Sequence, residues 1–552
     1  MKEYSILVGG EAGEGSKKAG LVIAKLFSSF GYRIYISEDY QSVIKGGHNF
    51  SLIRASEKRV LSSNEEIDFL LALNEDTSKR HSKKLVDQEN MIYNSESFSS
   101  KKGIGVPIES ITKELGGIPI MKNTALIAAF AKIVGIDWAT VREVLKIELP
   151  IATDKNLEIA KESYNQTKGK VKIKKLKNGR KPLISGNEAI ALGALKSGLE
   201  AYVAYPMTPS TGILNYMSTV AQDYKLRVFQ PENEIAVVNT AIGMAFAGKK
   251  TMVGTSGGGF ALMNEALSLS AQAEIPLVVV EGQRMGPSTG VPTYGGQSDL
   301  LYVLSSGHGD FDKFVVAPGD EGEAFYLSGL ALNISWKYQI PSIILSDKDL
   351  VESTYSFDEK LVKNLSESKP SLWNGQGVYG RYEITKNGIS PLTFPGKKGV
   401  VVKGTSYEHD EAGITVDDEI SIKAMQDKRS RKFKTLKSEV DKIKSVKVYG
   451  NKKSTTALVA WGSVKGVALE VAEKEGFRLV QPTIMSPFPE KQMKAALRGV
   501  RRTIVAELNS KGQLATLLRS YGIRSESILK YTGRPFTTNE LIKKIKTHKK
   551  NG

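Results

Sequence analysis

Tyr205-Pro206-Met207-Thr208-Pro209-Ser210-Thr211 closes an apolar run that begins at Ala201, and it does so with two prolines and three hydroxyl-bearing residues. Proline donates nothing to a sheet ladder, so the run reads as a buried strand ending in a rigid polar shelf. In an open α/β sheet, ligands bind outside the carboxyl ends of the strands, which makes this shelf the first candidate wall of a site.

The flanking sequence repeats the pattern. Ile184 to Glu188 is a polar turn ahead of a small-residue helix, Ala189 to Gly198. After the shelf come a strand around Arg227 to Phe229, the polar stretch Gln230-Pro231-Glu232-Asn233-Glu234, and a helix from Ile235 to Ala247. Thr251 to Gly254 is a further strand, entering Thr255-Ser256-Gly257-Gly258-Gly259-Phe260, and Pro276 to Glu281 has the apolar character of a strand buried on both faces. Repetition of strand, glycine or hydroxyl loop, and helix argues for a doubly wound parallel sheet with its loops gathered at one edge.

Two acids and one arginine stand out in those loops. Glu232 and Glu234 precede a helix, where an acid is favoured by the macrodipole alone, so helix initiation competes with a catalytic role. Gly282 to Thr293 is a long irregular loop holding Arg284, whose guanidinium fork suits a carboxylate; an incidental surface arginine is the alternative.

The 552 residues, 41% of them hydrophobic, are too many for one core and correspond to roughly three to four domains of ~150 residues. We place a first domain at 1–165, a basic linker at 166–182, a second domain at 183–385, a connecting segment at 386–450 and a third α/β domain at 451–552. The first opens with the strand Tyr4 to Val8, the turn Gly9 to Gly15, a helix Lys17 to Phe30 and a strand Tyr32 to Ser37, a Rossmann-like βαβ start. Its glycines run G-x-x-G-x-G, not G-x-G-x-x-G, which weakens a dinucleotide reading despite Glu38 and Asp39 downstream. Lys45 to Asn49 is expected to be a polar loop, with His48 a hydrogen-bonding residue, not a metal ligand. The strongly basic stretch Ile420 to Lys447 reads as an exposed connecting helix without chemistry.

The chain has no cysteine, which excludes disulfides, a thiol nucleophile and ordinary iron-sulfur ligation by its own side chains. No metal site is expected on it. MKEYSILVGGEAGEG lacks the apolar run of a signal peptide and no segment reaches the ~20 apolar residues of a membrane helix, so a cytoplasmic location is expected and a membrane is not. The net charge of +18 fits a solvated basic surface or an acidic electron-carrier partner better than nucleic acid, because the lysines concentrate in linkers and tails.

Taken together, GGEAGEG, GGHN, YPMTPST, the ENEIA to TSGGGF block, QRMGPSTGVPT, SYEHDEAG, ALVAWGS and GRPF resemble, in order, the 2-oxoacid:ferredoxin oxidoreductases, specifically the alpha subunit with a gamma part fused ahead of it. The resemblance implies an α/β protein with a Rossmann-like N-terminal gamma domain, a thiamine-enzyme pyrimidine-type doubly wound domain and a transketolase C-terminal-like domain. It implies oxidative decarboxylation of a 2-oxoacid, 2-oxoglutarate favoured, with coenzyme A as co-substrate and ferredoxin as electron acceptor. Pyruvate- or branched-chain-specific chemistry is the nearer alternative, and a noncatalytic basic nucleotide-binding protein on the same fold is the distant one.

The residue roles implied by that resemblance follow the motifs. Glu234 matches the glutamate that faces the aminopyrimidine of thiamine diphosphate, favouring the imino tautomer that removes the thiazolium proton. Pro206 lines the cofactor wall, Thr208 and Arg284 meet the substrate, and Thr293 is a pocket position. No Gly-Asp-Gly motif of a diphosphate-magnesium site is present, so a beta subunit is expected to bring Mg2+ and an iron-sulfur cluster, giving a heterodimer or a dimer of heterodimers with a shared thiamine site. Two departures are notable: Ser390-Pro391-Leu392 stands where the family often has Ser-Pro-Arg, and Glu14 stands where a glutamine is usual. The gamma part is the implied but unsupported candidate for docking coenzyme A.

Overall fold

The computed structural model describes residues 2–41 and 47–548. The chain divides into two compact units: residues 1–184 with 353–358, and residues 185–352 with 359–552. Lys45 and Gly46 of the expected polar loop lie outside the described residues.

The first unit is built on a mixed sheet in the spatial order Ile104–Val106, Met91–Asn94, Phe69–Ala72, Glu3–Glu11, His48–Ser56, Arg33–Asp39, Thr354–Ser356 and Leu183–Ser185. The first crossover, through the helix Ser16–Ser29, is α/β as expected, but the strand His48–Ser56 lies between its two strands and is antiparallel to both. In the glycine turn, the Glu14 carboxylate accepts from the Glu11 amide at 2.6 Å and from Asn74 Nδ2 at 3.0 Å, so the protein's own acid occupies those donors. His48 opens a strand instead of sitting in a loop, and its Nε2 lies 2.8 Å from Nε2 of His81 in a buried pair. Burial, followed by the neighbouring His48, pushes His81 down to about 3.

The basic stretch after Gln166 lacks helix and strand but is not a free linker. Ile173 is buried in the unit's core, Val171 N–H donates to Ile133 O at 2.8 Å, and Tyr32 Oη donates to Lys174 O at 2.9 Å. One apolar anchor and a few main-chain bonds outweigh the solubility of the surrounding lysines. Residues 353–358 return to this unit as a strand beside Arg33–Asp39, with Tyr355 against Tyr35 at 5.3 Å between ring centres.

In the second unit, six parallel strands run in the order Phe314–Val316, Pro341–Asp347, Leu277–Gln283, Thr251–Thr255, Ala201–Val203 and Arg227–Phe229, with Ile484–Ser486 added antiparallel at the Phe314–Val316 edge. A five-stranded sheet follows, Val446–Gly450, Arg478–Pro482, Thr456–Val459, Arg502–Glu507 and Glu526–Leu529, parallel except for its first strand. The helix Gly186–Lys196 starts with a capping box, Ser185 and Glu188 each bonding the other's backbone amide.

The basic helix Glu419–Val440 is not exposed on every face. Met425, Lys428, Lys432, Leu436 and Val440 form a buried stripe at helical spacing, and two of its five members are lysines. Lys428 Nζ bonds Glu274 Oε1 at 2.6 Å and Lys432 Nζ bonds Glu274 Oε2 at 2.5 Å, all three side chains being buried. Burial alone would push the Glu274 carboxyl up, but the two ammonium groups hold it well below the usual range, and burial pushes Lys428 down to about 8. Removing one member of a buried ionic set leaves charge unpaired at a cost of about 3–5 kcal/mol. Glu274→Gln is therefore expected to lower unfolding free energy by that amount in a urea titration; an unchanged midpoint would show that the lysines find water or another partner.

Candidate functional site

The strand Ala201–Val203 has Arg227–Phe229, the next strand in the chain, on one side and Thr251–Thr255 on the other. The sheet therefore changes its direction of growth here, and the loops after Ala201–Val203, Thr251–Thr255 and Leu277–Gln283 open at the same edge. This is the topological position at which open α/β sheets form crevices.

Glu234 is placed by helix capping. Asn233 Oδ1 accepts from Ala236 N–H at 2.9 Å and starts the helix Glu234–Phe246, which puts Glu234 in the first turn. Glu234 is 4% exposed, and its Oε1 is buried without a hydrogen-bond partner, whereas Glu232 is exposed. A buried carboxylate oxygen left unpaired is costly, so it is the kind of atom that a ligand completes. Gly259 makes room for it: a Cβ there would lie 2.1 Å from Thr255 Oγ1 and 2.7 Å from Glu234 Oε1. The Ser256 hydroxyl, in the same loop, is also buried without a partner.

The shelf of residues 205–211 is tied to this loop by Ser210 Oγ, which donates to Thr255 O at 2.6 Å. Arg284 reaches the shelf through Nη1, which donates to the main-chain carbonyl of Thr208 at 2.8 Å. Behind the arginine lies Glu281, fully buried at the end of its strand, beside Asp299. Burial and then the Asp299 carboxyl push Glu281 well above the usual range, and burial pushes Asp299 up to about 6. Burial also lowers Arg284, and the nearby Glu281 opposes that shift.

Thr293 is buried, and the loop that carries it is closed at its base by Met285 N–H donating to Tyr294 O at 2.9 Å. Arg284 and Thr293 thus flank one closed loop. Pro206 is exposed on the shelf. Arg284 and Thr208 are joined by a hydrogen bond, Thr293 shares the loop of Arg284, Glu234 lies against the Gly259 position of the loop to which the shelf is tied, and Pro206 shares only the shelf.

The loop returns to the sheet through Gln297. Its N–H donates to Leu508 O at 2.8 Å, its Nε2 to Asp347 Oδ2 and Trp461 O at 3.0 Å each, while its Oε1 and O accept from Leu508 N and Asn509 Nδ2. Leu508 and Trp461 belong to loops of the five-stranded domain.

Two family models match: "Pyruvate ferredoxin/flavodoxin oxidoreductase" over residues 5–166, and "Pyruvate flavodoxin/ferredoxin oxidoreductase, thiamine diP-bdg" over residues 192–427. The chain is 31% identical to a Sulfolobus 2-oxoacid:ferredoxin oxidoreductase subunit alpha, over 99% of this chain and 98% of that one. It belongs to this oxidoreductase family, as an alpha subunit. The 2-oxoacid:ferredoxin oxidoreductase 2 subunit alpha of Aeropyrum pernix is 30% identical, with 99% and 98% covered. A solved 2-oxoglutarate:ferredoxin oxidoreductase from Magnetococcus marinus, holding 2-oxoglutarate, coenzyme A and succinyl-CoA, superposes with a TM-score of 0.89 at 29% identity over 99% of both chains. Among the described residues of this alpha subunit, no helix is long and apolar enough to cross a membrane.

Sequence reading passed over Glu281, Asp299 and Gln297. Glu281 carried a usable signal, being the one acid in an otherwise apolar strand, whereas Asp299 and Gln297 sit in a polar loop with nothing to mark them. Asp299 also yields a pH dependence. Its folded pKa of about 6 lies above the ordinary aspartate value, so the neutral form stabilises the fold. That contribution is complete below pH ~4 and is lost as pH rises through about 6, by about 3 kcal/mol at most. The stability difference between wild type and Asp299→Asn is expected to shrink over this window in urea titrations; a difference constant between pH 4 and 7 would refute the raised Asp299 pKa.

Proposed function

We propose that this alpha subunit serves a thiamine diphosphate-dependent oxidation of a 2-oxoacid, 2-oxoglutarate foremost, yielding an acyl-CoA, carbon dioxide and reduced ferredoxin. The observation that carries the reading is the buried, partnerless Oε1 of Glu234 on the same sheet edge as Arg284. The site fits the cofactor's pyrimidine end: a lone carboxylate oxygen matches a ring nitrogen, and the missing side chain of Gly259 lets Glu234 and Thr255 approach the loop backbone closely. When bound, thiamine diphosphate supplies the nucleophile and electron sink through which a 2-oxoacid loses carbon dioxide.

The residues of this chain have distinct tasks in that reading. Glu234 holds a proton at Oε1 against the pyrimidine nitrogen, acting from a buried and therefore preorganised position. Arg284, steadied by the Thr208 carbonyl, binds the substrate carboxylate until it leaves, with Thr208 and the buried Thr293 lining the same pocket and Pro206 at its rim. The preference for 2-oxoglutarate is supported by the full-length likeness to the relative that holds 2-oxoglutarate and succinyl-CoA.

The same edge bears large apolar side chains in solvent: Tyr205 38%, Phe229 50%, Ile235 51% and Leu262 51% exposed. Such a surface beside a half-built site fits a beta subunit that covers it and brings the diphosphate-Mg2+ site and an iron-sulfur cluster, with ferredoxin as the electron acceptor. A cytoplasmic location accords with this set of partners.

The test is co-purification with the beta subunit, followed by substrate-dependent reduction of a viologen dye with 2-oxoglutarate, pyruvate and branched-chain 2-oxoacids. Glu234→Ala is expected to lower kcat by a factor of about 100 or more. Arg284→Ala is expected to raise KM for the oxoacid, with a loss of about 2–4 kcal/mol in kcat/KM. Wild-type kinetics in either variant would overturn the corresponding assignment.

A further inference from the structure

We propose that Arg534, in the last domain, is a positioning residue for the 2-oxoacid: its guanidinium stacks on the Tyr294 ring and holds the base of the loop flanked by Arg284 and Thr293. This inference rests on the assignment of Arg284 to the substrate carboxylate. It gives the last domain, which contributes none of the proposed catalytic or substrate-binding residues, a part in substrate recognition.

The contacts converge on one point of the loop. The guanidinium carbon of Arg534 lies 3.6 Å from the centre of the Tyr294 ring, the separation of a stacked cation and aromatic face. Gly533, with φ +73°, brings the backbone close: a Cβ there would lie 2.9 Å from Tyr294 Cβ, and Gly295 N–H donates to Gly533 O at 3.2 Å. Tyr294 in turn accepts from Met285 N–H at 2.9 Å, and Met285 O accepts from Val291 N–H at 2.8 Å. Arg284 precedes Met285 and Thr293 precedes Tyr294, so displacing Tyr294 would move both pocket residues. The Asp349 carboxyl is close enough to feel the guanidinium: burial pushes it up to about 7, and Lys348, then Arg534, oppose this. A lysine could supply the charge there but not the planar face.

The experiment uses the assembled alpha-beta enzyme. Arg534→Ala is expected to raise KM for 2-oxoglutarate about fivefold, the effect of losing an exposed cation–ring contact, with kcat and KM for coenzyme A within about twofold of wild type. Arg534→Lys should not restore KM. Tyr294→Phe should behave as wild type and Tyr294→Ala as Arg534→Ala, with the double variant no worse than either single one. Hydrogen exchange gives an activity-independent readout: the Met285, Val291 and Tyr294 amides should exchange faster in Arg534→Ala, while strand amides elsewhere are unchanged. Unchanged KM and exchange in Arg534→Ala, with KM raised in Arg284→Ala, would overturn the clamp. Faster exchange together with a silent Arg284→Ala would instead overturn the carboxylate assignment and leave Arg534 holding a loop without a substrate role. Additive Arg534 and Tyr294 effects would show that the two residues act separately, and would also overturn the proposal.

Discussion

Gln297 is the constraint on which the candidate site hangs. All of its backbone and side-chain polar groups are paired, with partners on the sheet strand that ends at Asp347 and on two loops of the last domain. A buried amide group satisfied at every atom tolerates little displacement, because each lost bond would strand a donor or acceptor away from water. The long loop after Leu277–Gln283 is thereby held at its return to the sheet, and the residues it carries acquire a fixed relation to Glu234 and the shelf. An irregular loop of that length would otherwise be among the most mobile parts of such a domain.

The buried charges divide into two kinds. Glu274 with Lys428 and Lys432 is an ionic set remote from the pocket, in which attraction outweighs the loss of solvation. Glu281 and Asp299 are two neighbouring acids beside the pocket, and burial favours the neutral form of each. The first kind anchors a basic helix that solubility arguments would leave on the surface. The second places a neutral acid behind Arg284, so the guanidinium stays available to an incoming carboxylate instead of being neutralised by a protein carboxylate.

Much of this was legible in the primary structure. The alternation of apolar runs with glycine and hydroxyl loops marked the parallel sheet, and the motifs from Tyr205 to Thr293 marked its functional edge. Less legible were features that depend on partners distant in sequence. The antiparallel strand His48–Ser56 inside the first crossover, the return of residues 353–358 to the first unit, and the buried lysines of Glu419–Val440 all violate a local expectation. In each case a long-range contact outweighs local propensity: a sheet ladder, an antiparallel pairing with two tyrosine rings edge to face, and the Glu274 carboxylate. Ile173 similarly anchors a lysine-rich stretch whose composition points to solvent.

The sequence by itself determined the fold class and the family, and it singled out Glu234, Thr208 and Arg284 as candidate site residues, because these rest on residue type and local order. The tertiary structure decided which of the two neighbouring glutamates is buried, that Arg284 grips the shelf through a main-chain carbonyl, and that the buried Glu281 lies beside Asp299 behind it. It also decided that Arg534 meets Tyr294. These are relations between residues far apart in the chain, set by the packing of strands and loops around Gln297, and no pattern of neighbouring residues encodes them.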